Sequence, residues 1–171
     1  GDGPLLPNVV RLCGELNISV QQYSGYWNEQ LDPEAAIIFM GYQTNPYPFI
    51  ANASVFVLPS LWEGLPISVL EAMSLGRPVI VSNCSSAIFE LLTDQESVKD
   101  QSELNCRITT GCGLVMNRFN LNDGPGVIEE WTDGMATIID DHEYRKSCAV
   151  VARGMACRYD VTEVNKLWVA R

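Results

Sequence analysis

The chain has 171 residues, a length that fits one domain with a hydrophobic core of its own. Its 21 acidic and 11 basic side chains give a formal net charge of −10, which argues against nucleic acid or an anionic membrane surface as a partner. No run of about 18 apolar residues is present, so we expect no membrane insertion, and the first residues show no signal-peptide pattern.

The cysteines give no indication of a zinc site, because none forms a CxxC pair and His142 is the single histidine. Without a secretory signal, we expect them to be reduced, mostly buried thiols of a cytoplasmic protein. The six are Cys13, Cys84, Cys106, Cys112, Cys148 and Cys157.

Short apolar runs in the first half of the chain predict strands that are covered on both faces, because the runs do not alternate with polar residues. These strands are 36–40, 55–58 and 79–81. A helix is predicted from about Pro66 to Leu75, since Pro66 suits its first turn and Gly76 suits its end. Strand, helix and strand at this spacing predict a right-handed βαβ unit.

The second half continues the alternation less regularly. It predicts a fourth strand at 113–116 and helices at 86–92, 127–139, 143–157 and 161–169. Two stretches lack a clear period: 21–34 is polar and aromatic, and we expect 93–112 to be a long exposed loop. The pattern predicts an α/β fold with a Rossmann-like, mainly parallel sheet and helices on both faces.

The segment from Trp62 to Ser82 carries the chemistry and reads WEGLPISVLEAMSLGRPVIVS. The strand before it delivers the chain to the carboxyl edge of a parallel sheet, where open α/β sheets bind their ligands. The helix predicted from Pro66 points free N–H groups and the positive end of its dipole at that edge, which suits a diphosphate. Gly64 lets the preceding loop approach a ligand closely.

Two carboxylates frame the start of this helix. Glu63 lies in the loop before it, and Glu71 lies in its second turn with a side chain that leans toward the helix N-terminus. Carboxylates repel phosphates but accept hydrogen bonds from hydroxyls, so ribose and hexose are their natural partners. The pattern therefore predicts a nucleotide sugar, with its diphosphate on the helix end and its sugars on the acids.

The spacing from Glu63 to Glu71, with seven residues between, resembles the E-x7-E motif of family 4 retaining glycosyltransferases, which have the GT-B fold. The resemblance is strong from about Met40 to Leu92 and patchy elsewhere. The other matching segments are Gly1-Asp2-Gly3-Pro4 (a G-x-G-P turn), Gly41-Tyr42, Asn52 to Ser60, Gly76-x-Pro78-Val79-Ile80 and Ser82 to Glu90.

The resemblance implies a single nucleotide-sugar-binding domain over 1–171, the C-terminal half of a GT-B enzyme. An arginine and a lysine of the family's first strand and helix are absent, as is the acceptor-binding N-terminal domain, so we expect the chain alone to be inactive. The implied reaction is retaining transfer of a hexosyl group from a UDP or GDP sugar to a glycan or lipid-linked acceptor at the inner face of the membrane. It needs no cofactor and no metal.

Roles follow from the resemblance position by position. Glu63 would bind the hydroxyls of the transferred sugar as the catalytic residue, and Glu71 would bind the ribose hydroxyls. Backbone amides between them would hold the sugar and diphosphate, while Gly41 and Tyr42 would lie near the base. The implied donor-binding residues are Gly41, Tyr42, Glu63, Gly64, Leu65, Pro66, Ile67, Ser68 and Glu71.

Other residues have simpler explanations. His142 is expected to be exposed, and Arg77 is explained by its place at a helix end, where a cation complements the dipole. The tryptophans are expected to pack, although Trp62 borders the site.

Two further functions remain open. One is a GT-B relative with different chemistry, such as an epimerase or a phosphorylase, which the sequence from Glu63 to Pro66 disfavours. The other is a non-catalytic nucleotide-sugar-binding module, which would keep the ligand and show no transfer.

Overall fold

A computed structural model describes residues 3–23, 25, 30–93, 107–120 and 124–169, with the side chains of 167–169 left aside. The chain divides into two compact units, Gly1–Pro46 and Tyr47–Arg171. The prediction of one domain over 1–171 stays a prediction, and each unit is considered by itself.

The first unit contains helix α1 and a parallel pair of strands. The elements are α1 (Leu6–Glu15), β1 (Val20–Gln22) and β2 (Ile37–Phe39). In the pair, Val20 lies opposite Ile37. The Ser19 hydroxyl donates to the Glu34 carbonyl (2.8 Å) and accepts from the Ala36 amide (2.9 Å), which closes the connection between the strands. The strand predicted at 36–40 is thus confirmed.

The second unit is built on a four-stranded sheet with the order β3-β4-β6-β5. Strands β3, β4 and β6 run parallel, and β5 is antiparallel to β6. The strands are β3 (Phe56–Leu58), β4 (Val79–Ser82), β5 (Ile108–Thr110) and β6 (Gly113–Met116). The helices are α2 (Tyr47–Asn52), α3 (Ile67–Ser74), α4 (Ser86–Leu92), α5 (Pro125–Asp140), α6 (His142–Ala156) and α7 (Val161–Val169).

Both faces of this sheet are covered, as predicted. Val79 and Val81 of β4 face a core cluster that includes side chains of α3, α4 and α6, whereas Ile80 faces a second cluster with Trp131 and Ile138 of α5. All four residues of β4 are buried, while those of β3 are half-buried. The mainly parallel α/β architecture is therefore confirmed.

The C-terminal end of α3 forms a Schellman motif. Gly76 adopts a φ of 67°, in the left-handed region that glycine favours. Its amide donates to the Met73 carbonyl and the Arg77 amide donates to the Ala72 carbonyl, both at 2.9 Å. The Arg77 guanidinium also donates to the carbonyl of Ala53 at 3.0 Å. The helix thus ends where the sequence predicts, and Arg77 has a structural role there.

One predicted loop requires a correction, because 93–112 contains strand β5. Within it, 94–106 lies outside the described residues. The Thr110 hydroxyl donates to the Gly113 carbonyl (3.1 Å) and accepts from the Cys112 amide (3.2 Å), so a tight turn joins β5 to β6. A three-residue strand with Ile108 as its only large apolar residue gives too weak a pattern to be found from sequence.

The described cysteines are free thiols. Three are buried, Cys84 is half-buried and Cys157 is exposed, while Cys106 lies outside the described residues. Burial raises the pKa of the Cys112 thiol to about 11. The buried thiols are Cys13, Cys112 and Cys148.

His142 is exposed at the start of α6, as expected. No helix among the described residues has both the length and the apolar character that crossing a membrane requires.

Candidate functional site

The loop that follows β3 lies at the carboxyl edge of the parallel strands and leads into α3. Hydrogen bonds attach it to the neighbouring strand and to the loop after that strand. The buried Ser82, at the end of β4, donates its hydroxyl to the carbonyl of Ser60. The Ser85 hydroxyl donates to the carbonyl of Gly64 at 3.3 Å. The loop is thus fixed at the sheet edge where α/β proteins bind ligands.

The start of α3 leaves backbone donors without protein acceptors. Pro66 is the N-cap residue, its side chain provides no cap, and its carbonyl accepts from the Val69 amide at 3.0 Å. Among the described residues, four nearby amides donate no hydrogen bond. These belong to Gly64, Leu65, Ile67 and Ser68. Such donors, next to the positive end of a helix dipole, can bind an anionic oxygen.

Glu63 lies in this loop with its carboxylate already oriented. The side chain is half-buried, and its Oε1 accepts a hydrogen bond from the Ser60 hydroxyl at 2.7 Å. Because Ser60 is itself held by Ser82, the carboxylate is tied indirectly to the end of β4. The remaining lone pairs of Glu63 can accept hydrogen bonds from a ligand hydroxyl.

Glu71 lies in the second turn of α3, as predicted, and has a partner that the sequence did not reveal. Its Oε1 accepts a hydrogen bond from the Tyr47 hydroxyl at 3.0 Å. This hydrogen bond and the negative charge of Glu71 raise the pKa of the tyrosine. Tyr47 is the first residue of α2, a six-residue helix that follows Pro46, contains Pro48 and gives no periodic signal.

The outer side of the loop is open to solvent. A Cβ added at Gly64 would meet no atom within 4 Å, so the fold itself does not demand glycine there. Leu65 and Ile67 are exposed as well. Trp62, which borders the site, is 77% exposed, which corrects the expectation that it is a packing residue. A ligand can therefore reach the loop directly.

Trp131 is the other tryptophan whose side chain the structure describes. Trp131 is buried, as predicted, and its Nε1 donates to the carbonyl of Asn117 at 2.9 Å. Trp27 and the side chain of Trp168 lie outside the described residues.

Gly41 and Tyr42 belong to the first unit, where they follow β2. Gly41 has a φ of 64°, which explains the glycine by backbone conformation alone. Tyr42 is 76% exposed. The role near the base that the resemblance implies for them stays a prediction. In the G-x-G-P segment, the Gly3 carbonyl accepts from the Leu6 amide at 3.0 Å just before α1.

Metal ligands are not clustered in the part of the chain that the structure describes, where no three His, Cys, Asp or Glu side chains are grouped to hold an ion. Independence of metal stays a prediction for the complete site.

Similarity to known proteins decides the family. The family described as Glycosyl transferases group 1 matches residues 9–108, more than half of the chain and a range that includes both Glu63 and Glu71. This chain belongs to the group 1 glycosyl transferases. The recognition made from the E-x7-E motif is therefore confirmed.

Individual relatives agree with this assignment. An uncharacterized glycosyltransferase of Methanocaldococcus jannaschii is 29% identical over 179 residues, covering 98% of this chain and 39% of the relative. A protein of Escherichia coli, named UDP-Gal:α-D-GlcNAc-diphosphoundecaprenol α-1,3-galactosyltransferase, is 56% identical over 48 residues, which cover 28% of this chain and 12% of the relative. The chain thus spans well under half the length of these relatives.

A solved structure supports the fold. Sucrose-phosphate synthase from Thermosynechococcus elongatus superposes with a TM-score of 0.58 at 16% identity, covering 100% of this chain and 36% of the synthase. At this identity the likeness concerns the fold alone. It confirms the expected α/β architecture of a GT-B glycosyltransferase.

Proposed function

We propose that this glycosyltransferase chain binds a nucleoside-diphosphate sugar and serves the retaining transfer of a hexosyl group within a longer protein. One observation carries the proposal: four amides that donate no hydrogen bond to the described residues lie between two half-buried carboxylates, Glu63 and Glu71, after β3. A diphosphate needs donors and sugar hydroxyls need acceptors, and this short segment offers both.

The amides have the role of holding the diphosphate as the bond to the sugar breaks. Departure of the sugar as a cationic ring leaves additional negative charge on the diphosphate. Fixed N–H dipoles stabilise that charge where it develops, without reorganisation. Because the chain carries a net charge of −10, such local dipoles attract the ligand more effectively than the overall field of the protein does.

The two carboxylates divide the hydroxyl groups of the ligand between them. Glu71 accepts hydrogen bonds from the ribose, and Glu63 accepts them from the transferred sugar beside the reacting bond. Pro66 precedes the helix that carries Glu71, and the proposal keeps the role near the base that the resemblance implies for Gly41 and Tyr42. This assignment needs no cofactor and no metal ion, since the amides stabilise the charge of the diphosphate.

The acceptor is proposed to be a glycan or a lipid-linked sugar. The name of the Escherichia coli relative describes transfer from UDP-Gal to a diphosphoundecaprenol-linked sugar, which supports a lipid-linked acceptor and a UDP donor. We place the reaction in the cytoplasm, at the inner face of the membrane. Residues 1–171 would form one donor-binding domain, inactive without the part of the enzyme that binds the acceptor.

The sugar assignment is tested by calorimetric titration with UDP, GDP and sugar conjugates of each. Glu63→Ala should bind free nucleotide like the parent and bind the matching nucleotide sugar about 5- to 100-fold more weakly, because a hydrogen bond to a charged group is lost. Glu129→Ala, at an exposed position of α5, is the matched control and should change neither affinity. Equal losses of nucleotide and nucleotide sugar in Glu63→Ala would contradict the assignment.

A further inference from the structure

We propose that Tyr47 is a positioning residue that holds the Glu71 carboxylate ready for the ribose hydroxyls of the nucleotide. The inference rests on the proposed donor site and adds to it a residue of another helix. Its basis is the hydrogen bond of 3.0 Å from the Tyr47 hydroxyl to Glu71 Oε1.

Helix packing, rather than local sequence, creates this contact. The two residues are 24 positions apart, and α2 packs against α3. Ile50 anchors α2 by packing against the buried cluster of the sheet, and the Asn52 side chain donates to the Pro48 carbonyl at 2.8 Å. Tyr47 therefore projects from an anchored backbone, although its own side chain is exposed.

Holding the carboxylate benefits binding because a glutamate side chain on a helix surface is otherwise free to adopt several rotamers. Freezing those rotamers when the ligand arrives opposes binding, and a side chain already ordered in the free protein avoids that loss. A carboxylate offers about four acceptor positions. Tyr47 occupies one of them on Oε1, which leaves Oε2 for the two adjacent hydroxyls of a ribose.

Tyr47 is suited to this role at neutral pH because it remains a donor. The hydrogen bond to Glu71 and the nearby negative charge both raise the pKa of its phenol. The other carboxylate of the site has an equivalent arrangement, since Ser60 donates to Glu63 Oε1 at 2.7 Å. Each acid of the proposed site is thus held by one hydroxyl and keeps lone pairs for a ligand.

Tyr47→Phe tests the inference, because it removes the hydroxyl and keeps the ring. Titrations would use UDP and GDP, each compared with its 2′,3′-dideoxy form. For the nucleotide that the parent binds, we expect affinity to fall about three- to tenfold in Tyr47→Phe, with no change for the dideoxy form. Tyr159→Phe, which removes a hydroxyl that donates to the Glu90 carbonyl at 3.4 Å, should leave both affinities unchanged.

A second measurement tests the contact without a ligand. Titration of labelled tyrosine by NMR should show that Glu71→Gln lowers the pKa of Tyr47 and leaves that of Tyr159 unchanged, since burial is the main cause that raises the latter. An unresponsive Tyr47 would overturn the inference, because the side chains would then not interact in solution.

The outcomes separate this inference from the proposed function. A parent chain that binds neither nucleotide rejects the donor site and the inference with it. If the parent binds, unchanged or tighter binding by Tyr47→Phe rejects the positioning role alone. A loss of equal size for the dideoxy form does the same, because Tyr47 would then act on some other part of the nucleotide.

Discussion

The two ends of helix α3 satisfy their backbone groups in different ways. At the C-terminal end, the amides of Gly76 and Arg77 bond to the last turn, and the Arg77 side chain reaches the Ala53 carbonyl. At the N-terminal end, the N-cap side chain provides no hydrogen bond, and the amides of Ile67 and Ser68 donate none to the described residues. The protein therefore completes one end with internal hydrogen bonds, and the amides at the other end are available for the proposed ligand.

The two glycines that flank the helix show the same contrast. Gly76 is buried and has a positive φ, and a Cβ there would collide with the Arg153 side chain. Gly64 is exposed and has open space around it. Internal contacts explain the first glycine, whereas nothing within the described chain explains the second, which suits close approach by a ligand.

The largest change in nucleotide affinity is expected from a substitution in the proposed ligand site at the start of α3. Glu71→Ala should reduce the affinity for UDP or GDP by about 1–3 kcal/mol, because the ribose hydroxyls lose a charged acceptor. Calorimetric titration measures the change, and urea unfolding checks that stability is retained. If Glu71→Ala binds both nucleotides as tightly as the parent, the ribose role of Glu71 is wrong.

Substitution of the two glycines by alanine is expected to have opposite effects on stability and on binding. Gly76→Ala should lower the free energy of unfolding by about 1–2 kcal/mol, because alanine resists the left-handed conformation. Gly64→Ala should leave that free energy unchanged and weaken the binding of nucleotide sugar, because the methyl group occupies ligand space.

Urea unfolding and calorimetric titration on both variants provide the measurements. Loss of stability in Gly64→Ala with unchanged binding would reverse the assignment of this glycine from a ligand contact to a structural one.

The smallest effect is expected from removal of metal ions. With amides as the partners of the diphosphate, EDTA should change nucleotide affinity by less than the error of a titration. A fall in affinity that added Mg²⁺ restores would show that a cation shares the site and that the amides alone do not hold the diphosphate.

The sequence predicted the centre of the second unit well because its elements carry strong local signals. The continuous apolar run of β4 and the Pro66 and Gly76 boundaries of α3 are properties of neighbouring residues. The spacing of Glu63 and Glu71 then identified the family, and residues 9–108 match it.

The missed features depend on contacts that are distant in sequence or on very short elements. Strand β1 contains one apolar residue among Val20, Gln21 and Gln22, so pairing with β2 rather than composition defines it. The contact of Tyr47 with Glu71 arises only when α2 packs on α3. Ser60 could have been suspected, since a hydroxyl three residues before a glutamate is often within reach of its carboxylate.

The central claim is that the exposed end of α3 binds the diphosphate of a nucleotide, and amide NMR tests it most directly. Addition of UDP or GDP should shift the amide resonances of Gly64, Leu65, Ile67 and Ser68, while that of Gly76 at the opposite end stays in place. Shifts confined to other surfaces, such as the exposed turn between α5 and α6, would contradict the account, as would the absence of any shift at millimolar nucleotide.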